Sequence, residues 1–206
     1  MKIDSIVDLP LSGIKLIKYC HFKDSRGFFT ESYNFSQFNE HNLLDGNQVV
    51  QINESHSQKN VIRGLHFQWN PYMGKLVRTV SGRMIDLVLD LRPNSSTFKK
   101  ILAVDMPYNP DSGLNTWIWV PPGFAHGNFF PEETRIEYLC TGIYNQDCET
   151  GINPFSDDID WSICDSNIKS MFDSLKNRFI ISDKDKELES IEKWLGSNNG
   201  SVFNSL

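Results

Sequence analysis

Two segments of this chain carry residues fit for proton transfer. One is the run Arg63-Gly64-Leu65-His66-Phe67-Gln68, and the other is Arg135-Ile136-Glu137-Tyr138. Imidazole, with a pKa of about 6.5, accepts a proton near neutral pH, and a phenol, at about 10, can return one. If His66 and Tyr138 face each other across a pocket, the pair moves a proton from one face of a carbon to the other. A second histidine, His126, follows Pro121-Pro122-Gly123-Phe124-Ala125. Whether these groups meet depends on the elements that hold them.

From about residue 13 to 144, short apolar runs alternate with turn signals. Strand-like stretches fall at 49–53, 61–68, 76–80, 84–91, 101–104, 117–120 and 135–144, and Ser81-Gly82 marks a two-residue hairpin. Frequent strands with no helices between them predict a mainly β domain, an antiparallel sandwich or barrel. Alternate side chains of a strand share a face, so Gly64, His66 and Gln68 point one way, and Leu65 and Phe67 the other. Gln51 with Asn53, and Ile136 with Tyr138 and Cys140, are grouped in the same manner. Polar faces of this kind suit a barrel with a wet mouth, but they equally suit bulk solvent, and periodicity does not choose. Gln51, Asn53 and Gln68 could also serve only to satisfy barrel backbone groups. Arg63 has the opposite parity to His66, so it shares that pocket only if the strand bends; otherwise it serves a neighbouring subunit's site.

The final third changes character. Ile168, Met171, Phe172 and Leu175 repeat at helical spacing behind Asp165 or Ser166. Ser182 and Asp185 form a capping-box pattern ahead of Leu188, Ile191, Trp194 and Leu195, with Gly196 as the stop. The chain thus divides into a β-barrel domain over 1–163, short helices packed on it over 164–196, and a flexible Asn/Ser-rich tail over 197–206.

Composition narrows the function. A net charge of −6 argues against a nucleic-acid binder, yet leaves room for a few arginines around a phosphate. No run of 18 apolar residues crosses a membrane, and the N-terminus carries scattered charges unlike a signal peptide. Cys20, Cys140, Cys148 and Cys164 show neither CxxC nor zinc spacing, which predicts free thiols in a reducing cytoplasm.

The segment Pro122-Gly123-Phe124-Ala125-His126 resembles the second motif of cupins, in which a histidine enters a small β-barrel. Many cupins hold a metal through His-x-His and a carboxylate, whereas the first motif here reads His66-Phe67-Gln68, with no glutamate over 70–74. Two histidines and a glutamine make a poor site for a divalent transition metal, so no metal is expected.

Further motifs sharpen the resemblance. Phe22-Lys23-Asp24-Ser25-Arg26-Gly27-Phe28-Phe29-Thr30-Glu31, Gln51-Ile52-Asn53-Glu54-Ser55-His56-Ser57 and the run around His66 are similar to the dTDP-4-dehydrorhamnose 3,5-epimerase family. So are Gly74-Lys75-Leu76-Val77-Arg78, the runs 86–92 and 122–127, Glu137-Tyr138 onward, and Ile180-Ile181-Ser182-Asp183-Lys184-Asp185. The resemblance implies a cupin-type barrel without a cofactor that epimerises carbon 3, carbon 5 or both of a nucleotide-diphospho-4-keto-6-deoxy sugar for surface polysaccharide. It implies His66 as base, Tyr138 as acid and Lys75 beside the enolate oxygen. Arg26 and Arg63 would contact the nucleotide and diphosphate, and Glu31, Gln51, Asn53, Gln68, His126 and Glu149 would make other substrate contacts. A homodimer with shared active sites is implied too, with the run around Arg26 reaching across.

One departure concerns the carboxylate that supports the family's histidine, sought in a Phe-Asp-Pro or Trp-x-Asp-Pro segment. Here the stretch reads Asn153-Pro154-Phe155-Ser156-Asp157-Asp158, and Asp157 is the expected substitute. Alternative readings are a GDP- or CDP-linked sugar, perhaps a heptose, inverted at one carbon; a metal-dependent cupin; or a non-catalytic sugar-binding cupin.

Overall fold

A computed structural model describes all 206 residues. The chain opens with β1 (Ile3–Asp8), β2 (Lys15–Cys20) and the hairpin β3 (Phe22–Asp24) and β4 (Gly27–Phe29). Helix α1 (Phe35–Glu40) leads to β5 (Gln51–Ser57), β6 (Ile62–Gln68), β7 (Lys75–Ser81) and β8 (Arg83–Asp90). Then come β9 (Ile101–Pro107), β10 (Leu114–Val120), β11 (Phe124–Phe129), β12 (Thr134–Cys140) and β13 (Glu149–Gly151). Helices α2 (Ser166–Leu175), α3 (Asp183–Lys186) and α4 (Ile191–Leu195) close the chain.

The strands form two facing sheets, ordered β1-β2-β10-β7-β12-β5 and β13-β6-β11-β8-β9, with every ladder antiparallel. This is the antiparallel barrel of the cupin type that the strand pattern and His126 motif implied. The hairpin at Ser81-Gly82 joins β7 to β8. Gly82 sits at φ +81, and a Cβ there would lie 2.2 Å from the Glu133 carbonyl oxygen, so only glycine fits.

Three apolar layers hold the sheets. Between them pack Val77, Met84, Val88, Ile118 and Phe124. The outer face of the six-stranded sheet presents Tyr19, Trp117 and Trp119 to Phe38, Leu43 and Leu44. The outer face of the other sheet presents Leu65, Phe67, Leu87 and Phe129 to Phe172, Ile191, Trp194 and Phe203. Strands covered on both faces read as continuous apolar runs, which is why β8 is buried from Met84 to Asp90 without alternation.

The C-terminal third departs from expectation in two ways. The single helix expected from Ser182 to Leu195 is broken into α3 and α4. Between them Glu189 bridges to Ile152, its carbonyl accepting from Asn153 N–H, and Ser190 caps a fresh helix. The segment 197–206, expected as a flexible tail, is docked instead: Phe203 is 2% exposed and meets Phe67 edge-on at 5.4 Å, while Tyr72 Oη donates to the Val202 carbonyl. One aromatic in a polar stretch was enough to anchor it. No helix is long and apolar enough to cross a membrane, and all four cysteines are free. Phe203→Ala should lower unfolding stability in urea by about 3 kcal/mol, as for other buried phenylalanine truncations; unchanged stability would show the tail to be undocked in solution.

Candidate active site

The inner half of the barrel is packed with apolar side chains at one end and open at the other. The open end is a cavity of about 540 Å³, within the range of small-molecule sites. Its walls come from β6, β11, β7 and β12, and a short segment ahead of α3 closes one side.

β6 turns its functional side chains inward through a bulge. His126 pairs with His66, and Asn128 with Arg63, so β6 carries one residue more than β11 between these rungs. Gly64 sits at φ +103, and a Cβ there would come within 2.8 Å of Gly127 Cα and the His126 carbonyl. The bulge resets the alternation, and Arg63 and His66, three apart, both line the cavity. Ile62, Leu65 and Phe67 face the opposite core.

His66 Nε2 lies 2.8 Å from Asp185 Oδ1, and the other oxygen of that carboxylate accepts from Gly64 N–H. Burial by itself would raise the pKa of Asp185, but hydrogen bonds from His66 and Gly64 and the His66 charge hold it below the usual carboxylate value. An ionised carboxylate only accepts, so Nε2 carries the hydrogen and Nδ1, which has no protein partner, is left as a proton acceptor. Asp157 does not fill this role. It is exposed, makes no side-chain hydrogen bond and lies outside the cavity. The Ser182 hydroxyl does cap α3 through Asp185 N–H, as the capping pattern foretold, but the Asp185 carboxylate is spent on His66. The spacing that marked a helix start was thus also the signal for the missing dyad partner.

Tyr138 reaches the cavity from β12, on the wall opposite His66. Burial raises its pKa, so the phenol stays protonated at neutral pH. Lys75, on β7 and level with Cys140 of β12, also lines the cavity. Burial pulls its pKa down, partly offset by Cys140, Glu149 and Asp86. The result is an acceptor on one wall, a donor on the other, and the Lys75 amine, which donates to the His66 carbonyl oxygen, between them.

The remaining expected residues divide. His126 and Glu149 line the cavity, Glu149 in an ion pair with Lys184. Gln51 and Asn53 bond each other at the edge of β5, beside Tyr138 but behind the lining. Gln68 is not among the residues lining the cavity. It is 2% exposed, donates both amide hydrogens to the Pro71 and Ile143 carbonyls and accepts from Asn145 N–H. Arg26 and Glu31 lie outside this cavity. Arg26 is 88% exposed on the β3–β4 hairpin in a pair with Asp24, and Glu31 pairs with the N-terminal amine. Tyr144, Ser182, Lys184 and Asp185 are lining residues that the sequence reading did not single out as site residues. No three His, Cys, Asp or Glu side chains converge as a metal site.

With this geometry in place, comparison with known proteins is specific. The family profile described as dTDP-4-dehydrorhamnose 3,5-epimerase matches residues 8–193. A protein of that name from Methanothermobacter thermautotrophicus is 35% identical over 191 residues, 91% of this chain and 94% of its own length. Its namesake from Neisseria gonorrhoeae is 40% identical over 146 residues, and there the match spans 70% of this chain but only 42% of the relative. In three dimensions, the chain is similar to dTDP-6-deoxy-D-glucose-3,5-epimerase of Legionella pneumophila in complex with dTDP-4-keto-L-rhamnose. The TM-score is 0.79 at 28% identity, covering 96% of both chains.

The position of the carboxylate generates a direct test. Asp185→Asn should lose about 1–3 kcal/mol of unfolding stability at pH 7, since a buried acceptor pair is disturbed, while Asp157→Asn should stay within about 0.5. Because the folded pKa of Asp185 is depressed, its contribution is complete above the ordinary value of 3.8 and is lost as pH falls through the folded one. Denaturation curves at both pH ranges read this out; equal stability of the two variants at pH 7 would contradict the assignment.

Proposed function

Because the chain belongs to the dTDP-4-dehydrorhamnose 3,5-epimerase family, we propose that it epimerises a dTDP-linked 4-keto-6-deoxyhexose at carbons 3 and 5. The observation that carries the reading is a histidine–aspartate pair facing a protonated tyrosine across one cavity. The carbons flanking a ketone are acidified, because the electron pair left by the departing proton moves onto the carbonyl oxygen as an enolate. His66 Nδ1 takes that proton, and Asp185 steadies the imidazolium that forms. The Lys75 ammonium stands beside the developing oxyanion in a site of low dielectric, where such a charge stabilises most. Tyr138 then delivers a proton from the other face, and the centre is inverted. Support for the base by Asp185 removes the reason for limiting the reaction to one carbon.

At the mouth, Arg63 and Lys184 are cations suited to a diphosphate, and the half-exposed Tyr144 ring offers a flat surface to a base. The reading places the enzyme in the cytoplasm, where four free thiols are at home. It also makes the protein a homodimer whose β3–β4 hairpin carries Arg26 into the partner's site. Phe22, Phe28 and Phe29, exposed on that hairpin, favour its burial against a second copy.

Incubation of the keto sugar in heavy water should place deuterium at carbons 3 and 5, read by NMR. His66→Ala should abolish exchange, and Tyr138→Phe should retain exchange while losing inversion; wild-type turnover in both would overturn the scheme. Since burial lowers the pKa of Lys75, the alkaline limb of kcat should fall below 10.5, and Lys75→Arg should move it upward. Mixed and refolded Arg26→Ala and His66→Ala subunits should recover activity through hybrid dimers with one intact site. No recovery would mean that Arg26 acts in its own subunit or not at all.

A further inference from the structure

A second cavity opens at the far end of the space between the two sheets. It measures about 360 Å³ and shares no lining residue with the first. The inward row of β7 runs Lys75, Val77, Thr79. Lys75 lines the first cavity, Thr79 the second, and Val77 belongs to the apolar core between them. The second cavity lies where β7 and β10 part. Their ladder runs from Lys75 with Val120 to Val77 with Ile118 and stops, while β10 stays paired to β2 back to Leu114, and β7 to β12 as far as Ser81. A ladder that opens leaves backbone donors and acceptors along its edges in need of partners. The Thr79 hydroxyl meets one nearby acceptor, donating to the Met106 carbonyl of β9.

The lining combines an apolar floor with one unmatched charge. Leu16, Val104 and Met106 form the floor, packed on the inter-sheet core. Lys18 shares the inward face of β2 with Leu16, because Ile17 and Tyr19 pack on the outer layer. Asp105 is the one carboxylate in the lining, and Arg83 occupies both of its oxygens. Lys18 has no acidic partner, so the cavity holds a surplus cation in a chain of net charge −6. The rim is already shaped by its own loop: Ser112 Oγ accepts from Leu114 N–H, and Asn109 Oδ1 from Asp111 N–H. We infer that this cavity is a second binding site, separate from the proposed reaction, for a small carboxylate with an apolar body. The carboxylate pairs with Lys18, and the body covers Leu16, Val104 and Met106. A single unmatched cation suits a monoanion, and the floor gives inorganic phosphate nothing to bury. The volume falls near the lower end of the range for small-molecule sites, about 300–1,000 Å³, and suits a ligand smaller than a sugar nucleotide.

Octanoate is a suitable probe, and Met106 is a reporter inside the cavity. In full-length protein labelled with 13C at the methionine methyls, the Met106 signal is identified by its loss in Met106→Leu, a swap that keeps the core volume. That signal should shift saturably as octanoate is added. Octanol, with the same body and no charge, should bind about tenfold more weakly, and octylammonium should leave the signal in place. Octanoate should likewise lose about tenfold in affinity for Lys18→Gln, the scale of one charge-assisted hydrogen bond. Lys18 is partly exposed and unpaired, so the variant should keep the wild-type methyl spectrum in the absence of ligand. Added dTDP should not alter the affinity for octanoate, because the two cavities have separate walls. A Met106 signal that stays in place at millimolar octanoate overturns the inference. So does equal affinity for octanol or octylammonium, undiminished binding to Lys18→Gln, or displacement of octanoate by dTDP, which would put the probe in the first cavity.

Discussion

His66 and Asp185 are 119 residues apart in the chain and 2.8 Å apart in the fold. Nearly every other feature serves that contact. The bulge at Gly64 turns His66 inward and brings its own N–H onto the same carboxylate. Ile180 pairs with Val61 on the way into α3, and Glu189 with Ile152 on the way out, so the four-residue helix is pinned at one end beside β6 and at the other beside β13. The short α3 has little stability of its own. What fixes Asp185 is the docking of the flanking backbone, together with α2 and α4, on the outer face of the five-stranded sheet.

This layering explains how a polar cavity persists inside a small domain. Both outer faces are covered, one by α1 and the loop after it, the other by the C-terminal segments. The apolar area gathered there lets part of the barrel interior remain open and charged. The surroundings shift the titrating groups in definite directions. Tyr138 is pushed up and keeps its proton; Asp185 is held down and keeps its charge. In the proposed reaction, a donor, an acceptor and its support would thus be set before substrate arrives, which is what electrostatic preorganisation requires.

The sequence determined a good part of this. Turn signals and short apolar runs were sufficient for an antiparallel sandwich or barrel, since hairpin geometry is local. The ordered motifs from Phe22 to Asp185 pointed to the family, and His66, Tyr138, Lys75 and His126 were legible as one site. Helix α2 was equally plain, because helical period is short-range, and of the two expected caps Asp165 is the one used.

Other questions were decided only by tertiary structure. Arg63 joins His66 because of a bulge, and strand parity computed from sequence cannot contain an extra residue. Gln68 shares a face with His66, yet its amide is consumed by loops at Pro71, Ile143 and Asn145 that parity does not see. Asp157 and Asp185 are both acidic residues downstream of the barrel, and composition cannot rank them. Asp185 is the partner because the docked C-terminal segments carry α3 across the mouth of the cavity, whereas Asp157 remains on an exposed loop. Local rules fix the type of each element; which distant carboxylate meets which imidazole is set by how those elements pack.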